Sequence, residues 1–522
     1  MKAYILLFLL ICTPLKAQIN FIQSTDNQVD YFKSYPNDLK DENGNGIFNL
    51  NDFDSLIFIG DTYSNNFGRN VSYAGDVNGD GYSDIVVGCK INSYPNDRWR
   101  IYIYYGGLIF NNLADITITS NLNIEILSVS SAGDVNGDGY SDIVISTQSS
   151  VWLDYDAYIY FGGLSMDTLA DFSSHLGYIT GSPRQFSVST VGDVNGDGYS
   201  DIIIGAGSYS HQLWDYWGGA TIFYGGTNMD NIGDVNFGEL GYGYNGRISV
   251  SSAGDVNGDG FSDVIIGFSS FWGSGVNVNI FYGGTYMNNI PDVTFIDVED
   301  ILVSTTGDVN GDGFSDIIVG EPSYSSSTGR ASIYFGGSSM NNIVDLILTG
   351  QSLNNKFGKS VSTAGDVNGD GFSDIIVGAY GFNTGTGRAY IYYGGSSMNN
   401  VADVTWTGEA INNYFGNSVS TSGDVNGDGS SDIIVGAYGY NSNIGRAYVF
   451  MRKPFIRIKL KVLMEGMYSS LYNQLARKDS VTLLLRDVTS PFAIRDSAKF
   501  VIDSLTFLNN LLSLMLRQEI II

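Results

Sequence analysis

Cysteine is almost absent from this chain, which has two in 522 residues, Cys12 and Cys89. Cys12 lies in an apolar N-terminal segment whose removal would leave Cys89 alone. The mature chain is therefore not expected to form an internal disulfide. Histidine is equally scarce, with two residues, and proline is limited to eight. A recurring zinc site made of Cys and His ligands is thus excluded by composition.

Positive charge is also in deficit, because 26 Lys and Arg residues face 54 Asp and Glu residues, for a net charge of −28. Nucleic acid is therefore not an expected partner, since phosphates require a basic surface. An acidic chain favours cations instead. The abundant residues are Gly (66), Tyr (35) and Phe (29), which suit strands joined by tight turns.

Residues 1–17 have the pattern of a secretory signal peptide. Lys2 precedes an apolar run that is too short to span a bilayer, and cleavage is expected after Ala17. A lipoprotein anchor at Cys12 is the weaker alternative, because the preceding Ile11 is not small. We therefore expect a secreted or cell-surface protein without a transmembrane segment once the signal is removed.

The sequence GDVNGDG recurs seven times, and its first aspartates are 53 to 62 residues apart. Each unit has the same order, which residues 357–407 illustrate. An alternating strand precedes the acidic stretch, a short apolar strand follows it, and two more strands complete the unit. Four antiparallel strands repeated seven times predict an all-β, seven-bladed β-propeller over residues 54–450. An open solenoid is disfavoured, since it would leave two exposed sheet edges.

The seventh unit lacks its fourth strand. A matching strand pattern, DSLIFIGDT at 54–62, instead precedes the first acidic loop. We expect this N-terminal strand to complete blade seven and close the ring.

Each acidic loop has oxygen-bearing side chains at its first, third, fifth and ninth positions and glycine at its sixth. The beginning of this pattern matches an EF-hand calcium loop, in which the seventh residue contributes its backbone carbonyl. Hard oxygen donors favour Ca²⁺, and seven copies favour about seven ions, one in each blade. A solvated Asn/Gly turn is the alternative for any single copy. The candidate ligands are Asp76, Asn78, Asp80, Tyr82 and Asp84; Asp134, Asn136, Asp138, Tyr140 and Asp142; Asp193, Asn195, Asp197, Tyr199 and Asp201; Asp255, Asn257, Asp259, Phe261 and Asp263; Asp308, Asn310, Asp312, Phe314 and Asp316; Asp366, Asn368, Asp370, Phe372 and Asp374; and Asp424, Asn426, Asp428, Ser430 and Asp432.

These residues give the chain a resemblance to the FG-GAP repeat family, which includes the propeller of integrin α-subunits. The Phe-Gly pairs are Phe67-Gly68, Phe357-Gly358 and Phe415-Gly416, and VGAYG at 377–381 and 435–439 is similar to the second half of the motif. Blades 2–5 lack the Phe-Gly pair but keep the acidic loop. The resemblance implies a calcium-stiffened extracellular binding platform for protein or glycan ligands, without implying integrin signalling.

Two segments lie outside the predicted ring. Residues 18–53 include DENGNGIFNLND (41–52), for which an EF-hand or dockerin-like loop and a solvated turn are equal alternatives. Residues 451–522 carry 11 Lys and Arg against 6 Asp and Glu, and their pattern resembles the beginning of a small, incomplete β-sandwich. A C-terminal amphipathic helix is the competing interpretation.

No catalytic motif is evident, and the two histidines, His175 and His211, are far apart in the sequence. We therefore predict that the chain is not an enzyme. The alternative is a polysaccharide lyase or glycosidase on a calcium propeller. Five tryptophans fall in the segments predicted to join the second and third strands of blades 1–4: Trp99, Trp152, Trp214, Trp217 and Trp272. Exposed tryptophans are typical contact residues, so we predict a ligand site on the face opposite the acidic loops, with Trp152, Trp214, Trp217 and Trp272.

Overall fold

The structure is a computed structural model. It describes residues 53–61, 64–91, 98–120, 124–149, 154–178, 186–209, 217–242, 247–269, 276–295 and 301–452, together with strands between 457 and 521. The predicted signal peptide and the loop at 41–52 lie outside these described residues, so both remain predictions.

The described chain forms seven antiparallel four-stranded sheets, as the seven acidic repeats predict. In each sheet we name the strands A to D in the order in which they pair. The first strand of the chain, β1 (Phe53–Ile59), precedes blade 1. Blades 1 to 3 consist of β2 (Ser64–Gly75), β3 (Asp84–Ile91), β4 (Arg98–Tyr104) and β5 (Ile116–Thr119); β6 (Ile124–Gly133), β7 (Asp142–Ser149), β8 (Asp154–Tyr160) and β9 (Phe172–Tyr178); and β10 (Phe186–Gly192), β11 (Asp201–Tyr209), β12 (Trp217–Phe223) and β13 (Val235–Tyr242).

Blades 4 to 7 continue the pattern, and blades 5 to 7 each insert one short helical turn between strands B and C. Their elements are β14 (Arg247–Gly254), β15 (Asp263–Ser269), β16 (Val276–Phe281) and β17 (Val293–Phe295); β18 (Leu302–Gly307), β19 (Asp316–Glu321), α1 (Tyr324–Ser327), β20 (Arg330–Tyr334) and β21 (Leu346–Thr349); β22 (Ser360–Gly365), β23 (Asp374–Ala379), α2 (Phe382–Gly385), β24 (Arg388–Tyr392) and β25 (Val404–Thr407); and β26 (Val419–Gly423), β27 (Asp432–Ala437), α3 (Tyr440–Asn443) and β28 (Arg446–Arg452).

The N-terminal strand closes the ring, which confirms the sequence prediction. β1 pairs antiparallel with β28 along its whole length, from Phe53 opposite Arg452 to Ile59 opposite Arg446. It therefore supplies strand D of blade 7, in the sheet order β1-β28-β27-β26. The ring of Trp406, from blade 6, stacks on Phe450 at 4.1 Å and meets Phe53 edge-on at 5.3 Å. Blade 6 thus packs against both strands of this junction.

The hydrophobic core is divided into seven clusters, and each cluster spans the interface between two adjacent blades. One of them joins Phe58 and Val449 of blade 7 to Phe67 and Val87 of blade 1. Seven interfaces for seven blades leave no open end, so apolar burial itself favours the closed ring.

The Phe-Gly pair of one blade contacts a glycine in strand B of the preceding blade, which is the first glycine of the VGAYG sequence in blades 6 and 7. Phe357 is buried, and the following Gly358 places its carbonyl oxygen against strand B of blade 5. A Cβ on Gly320 would lie 2.2 Å from that oxygen, so only glycine fits there. Blades 2–5 begin strand A differently, each with a buried Ile or Phe: Ile126, Phe186, Ile248 and Ile301. These residues keep strand A packed in blades that lack the Phe-Gly turn.

The strands that follow residue 453 belong to a second compact unit. They are β29 (Arg457–Val462), β30 (Tyr468–Ser469), β31 (Gln474–Leu475), β32 (Asp479–Arg486), β33 (Ile494–Ile502) and β34 (Leu516–Ile521). They form three antiparallel pairs, β29 with β34, β30 with β31, and β32 with β33. The described end of this segment is thus a strand, where the sequence also allowed a helix.

Candidate metal centres

The acidic loops join strands A and B, so in antiparallel blades they lie on the same face as the C–D connections. We call this face the acidic face, and the face with the B–C and D–A connections the opposite face. In blade 1 the loop runs from Asp76 to Asp84, and Gly79 and Gly81 have φ values of +76° and +88°. Glycine tolerates this left-handed backbone, which wraps the loop around its own first residue.

The first aspartate of the loop accepts hydrogen bonds from the loop backbone. Asp76 Oδ1 accepts from the N–H groups of Gly79 and Asp80 at 2.7 and 3.1 Å, and Oδ2 accepts from that of Gly81 at 2.8 Å. Next, Asn78 Oδ1 accepts from Asp80 N–H at 2.9 Å, and Asp80 Oδ1 accepts from Tyr82 N–H at 3.0 Å. The side-chain oxygens at positions 1, 3 and 5 therefore all point toward the backbone of the same short turn.

The ninth residue connects the loop to two parts of its blade. Asp84 is fully buried, and its Oδ2 accepts from Val77 N–H while its Oδ1 accepts from Gly106 N–H, both at 2.8 Å. Burial raises the pKa of Asp84 to about 7, and the two backbone hydrogen bonds oppose that rise. Burial likewise raises the pKa to about 7 for Asp142, Asp201, Asp263 and Asp316.

The seven loops repeat this geometry almost without change. The first aspartate of every loop accepts the same three backbone hydrogen bonds: Asp134, Asp193, Asp255, Asp308, Asp366 and Asp424. The ninth position accepts two backbone hydrogen bonds in blades 1–6. In blade 7, Asp432 accepts one regular hydrogen bond, from Val425 N–H, and the backbone of Arg452 stands where the other blades place the glycine N–H.

The donor chemistry of each loop fits a hard cation such as Ca²⁺. Carboxylate, amide and carbonyl oxygens are present, and each carboxylate oxygen can accept more than one bond. Among the described residues, no three His, Cys, Asp or Glu side chains are close enough to hold a metal by themselves. The EF-hand pattern adds an asparagine oxygen and a backbone carbonyl to the acids.

The seventh loop residue has a role that the sequence prediction missed, because its side chain connects adjacent blades. The ring of Tyr140, in blade 2, covers Gly79 of the blade 1 loop so closely that a Cβ there would lie 2.4 Å from Cε1. Five other interfaces repeat this contact with the rings of Tyr82, Tyr199, Phe261, Phe314 and Phe372. The signal was an aromatic residue at this position in six of the seven repeats.

Backbone hydrogen bonds also link every acidic loop to the next one. Ser141 N–H donates to the carbonyl of Asp76 at 2.9 Å, and the same bond recurs at all seven interfaces. At the closing interface, Ser83 N–H donates to the carbonyl of Asp424 at 3.1 Å. These seven hydrogen bonds join the acidic loops into one continuous circle around the ring, which we call the collar. Each loop is thereby bonded to both of its neighbours.

The predicted tryptophan site stays untested, but the assignment of Trp99 to a B–C segment is wrong. Trp99 lies in strand β4 and is 3% exposed, since it alternates with the buried Ile101 and Ile103. It is a core residue and not part of a B–C connection. Trp152, Trp214 and Trp272 lie outside the described residues. Trp217 is the first residue of β12, where it is paired with Tyr209 and Tyr242 in the backbone register.

The opposite face of blades 5–7 carries a repeated stack of arginine on an aromatic ring. The guanidinium carbons of Arg330, Arg388 and Arg446 lie 4.1, 3.7 and 3.5 Å from the ring centroids of Tyr324, Phe382 and Tyr440, respectively. Each ring belongs to the helical turn between strands B and C, which contains consecutive residues with positive φ. The stack thereby holds a strained turn against the start of strand C.

Together these features define a class of protein, a closed seven-bladed β-propeller with an oxygen-rich loop in every blade. Family comparison agrees with this architecture. The FG-GAP repeat model matches residues 186–221, 303–334, 357–392 and 415–450, and an FG-GAP-like repeat model matches 42–145. FG-GAP repeats are thus present in the propeller at these positions.

Its curated relatives include integrin α-subunits. The chain is 33% identical to integrin alpha-5 of Xenopus laevis over 168 residues, which is 30% of this chain and 16% of that protein. It is 29% identical to integrin alpha-V of Gallus gallus over 224 residues, which is 40% of this chain and 21% of that protein. The chain thus matches about a fifth of the length of these relatives. Among the described residues, no helix is long and apolar enough to cross a membrane.

Proposed function

We propose that this protein is a secreted or cell-surface binding platform whose propeller is stabilised by about seven Ca²⁺ ions. The observation that carries this proposal is the sevenfold repetition of one acidic loop whose ninth residue is a fully buried aspartate. Burying a carboxylate costs free energy that the backbone hydrogen bonds offset in part, and a bound cation would offset more of it, which favours a metal site over a solvated turn.

The residues that would hold the ion in blade 1 are Asp76, Asn78, Asp80 and Asp84 through side-chain oxygens, and Tyr82 through its carbonyl. Calcium would supply the positive charge that the three loop carboxylates lack. The chain itself supplies the shape, because the backbone hydrogen bonds to Asp76 and Asp84 form the turn. The collar of hydrogen bonds would then transmit the order of one loop to the next.

The ligand surface that we propose is the opposite face. The acidic face is occupied by seven nearly identical loops, whereas the B–C connections differ from blade to blade in length and composition. Variable loops on a rigid scaffold are the usual location of binding residues. Trp152, Trp214 and Trp272 belong to this set by sequence, Trp217 begins the strand that follows one of these connections, and the family resemblance favours the same face. An extracellular protein or a glycan fits such aromatic contact residues.

The calcium proposal is tested by thermal unfolding of the full chain with excess EGTA and after addition of Ca²⁺ or Zn²⁺. We expect a clear fall in Tm with EGTA and recovery with Ca²⁺ alone, because an ion that binds only the folded state stabilises it. An unchanged Tm in EGTA would refute calcium stabilisation. Extracellular modules bind Ca²⁺ with a Kd of about 10⁻⁴–10⁻³ M, so millimolar Ca²⁺ is required.

The ligand class is tested with protein and polysaccharide arrays probed in millimolar Ca²⁺. The matched variants replace Trp214 and Trp272 by alanine, and Trp406→Phe serves as the control because Trp406 is buried in the core. Loss of capture in the first two variants alone supports the proposed face. Equal capture by all three would exclude these tryptophans from the site. Release of sugar products from a polysaccharide would instead favour the enzyme alternative.

A further inference from the structure

Blade 7 differs from the other six blades at two positions that lie side by side. Ser430 stands where the other loops carry Tyr or Phe. Arg452 occupies the position that the first glycine after strand C holds in the other blades; in blade 6 this glycine is Gly394. A Cβ on Gly394 would lie 2.3 Å from the carbonyl oxygen of Ser373 and 2.9 Å from Cβ of Phe372. The six regular blades therefore exclude a side chain here.

The guanidinium of Arg452 takes the place of the missing ring. At the interface between blades 6 and 7, its Nη1 covers Gly369, the glycine that an aromatic ring covers at each of the other six interfaces. Nη1 also donates to the carbonyl oxygen of Asn368 at 2.6 Å and to Ser430 Oγ at 3.4 Å. A fixed positive charge is thus bonded to the blade 6 loop and the blade 7 loop at once.

The charge of Arg452 acts on carboxylates of both loops. The fifth residues of the two loops, Asp370 and Asp428, are both under the electrostatic attraction of Arg452. Loops 6 and 7 therefore share the Arg452 cation, whereas the equivalent position in each of blades 1–6 is a glycine.

We propose that Arg452 is a resident cation of the interface between blades 6 and 7, where it weakens divalent-cation binding to loops 6 and 7 and keeps that interface closed without metal. This inference rests on the proposed binding of calcium. A positive charge that compensates carboxylates in the metal-free protein repels an arriving dication, and at these short separations the repulsion is weakly screened. We expect Ca²⁺ affinity at the two loops to be roughly tenfold lower than at the other five.

Calorimetric Ca²⁺ titration of the full chain, with bound ions counted by native mass spectrometry, tests this inference. The wild-type protein should fill about five sites first and two more at roughly tenfold higher free Ca²⁺. In Arg452→Gln the two classes should merge into one. The control is Arg446→Gln, which removes one positive charge from the opposite end of the same strand and should leave both classes in place.

Thermal unfolding separates this role from a merely structural one. Arg452→Gln should lower Tm in EGTA and lower it much less in saturating Ca²⁺, because the two tight new sites offset the lost contacts; a residue that only packs would lower Tm equally in both. A single wild-type class of seven equal sites overturns this inference and leaves the proposed function standing. A chain that binds no calcium overturns both. The wild-type titration decides the number of classes even if the variant does not fold.

Discussion

The two faces of the ring differ in how strictly they repeat. On the acidic face, the first aspartate makes the same three hydrogen bonds in all seven blades, and each loop is bonded to the next. On the opposite face, blades 5–7 share a helical turn and an arginine stack, whereas blades 1–4 carry B–C segments of other lengths and sequences. The acidic face repeats strictly and links each blade to the next, whereas the opposite face varies from blade to blade.

The two faces differ in whether their interactions connect neighbouring blades or stay within one blade. A bond from one acidic loop reaches the neighbouring blade, so a local change there affects an interface. The stack of Arg388 on Phe382 stays within blade 6, although Arg388 also donates to Gln351 at 2.9 Å. Three predictions test this contrast, and the first concerns β1, the strand that completes blade 7.

The largest effect is expected from deleting β1, residues 53–59. The deletion exposes the edge of β28 along its whole length and removes Phe58, which is fully buried between blades 7 and 1. A free energy loss of about 5 kcal/mol or more should result, comparable with the whole stability of many domains. Limited proteolysis and urea unfolding measure it. Deletion of residues 18–40 is the control, and equal sensitivity of the two truncations would mean that β1 is not the closing strand.

An intermediate effect is expected from Asp84→Ala on the acidic face. The change leaves the buried N–H of Val77 and the half-buried N–H of Gly106 without an acceptor, so the free energy of unfolding should fall by about 3 kcal/mol. Asp115→Ala is the matched control, since Asp115 is exposed and accepts one hydrogen bond, from Tyr105 N–H. On the opposite face, Arg388→Ala should cost about 1 kcal/mol. Urea unfolding in EGTA that ranked Arg388 above Asp84 would contradict the contrast between the faces.

Much of the fold follows from the sequence because its repeat is long and regular. The seven acidic loops set the number of blades, and the missing fourth strand of blade 7 pointed to residues 54–62 as its replacement. The core position of Trp99 was missed because its segment was read by residue type, although alternation with Ile101 and Ile103 carries the signal of a strand. The position of Arg452 depends on contacts between two blades, which no pattern within one repeat contains.

An effect smaller than that of Asp84→Ala is expected from a pair of glycines at the same position of strand B. A Cβ on Gly378 would lie 2.1 Å from the carbonyl oxygen of Gly416, because the Phe-Gly turn of blade 7 packs there. Gly88 of blade 1 faces blade 2, which has no such turn, and the nearest atoms to its Cβ are at 3.5 Å. Gly378→Ala should therefore cost about 2 kcal/mol through forced displacement of the backbone, whereas Gly88→Ala should be neutral or slightly stabilising. Urea unfolding of both variants measures the difference, and equal costs would show that the Phe-Gly turn is not what requires glycine at this position.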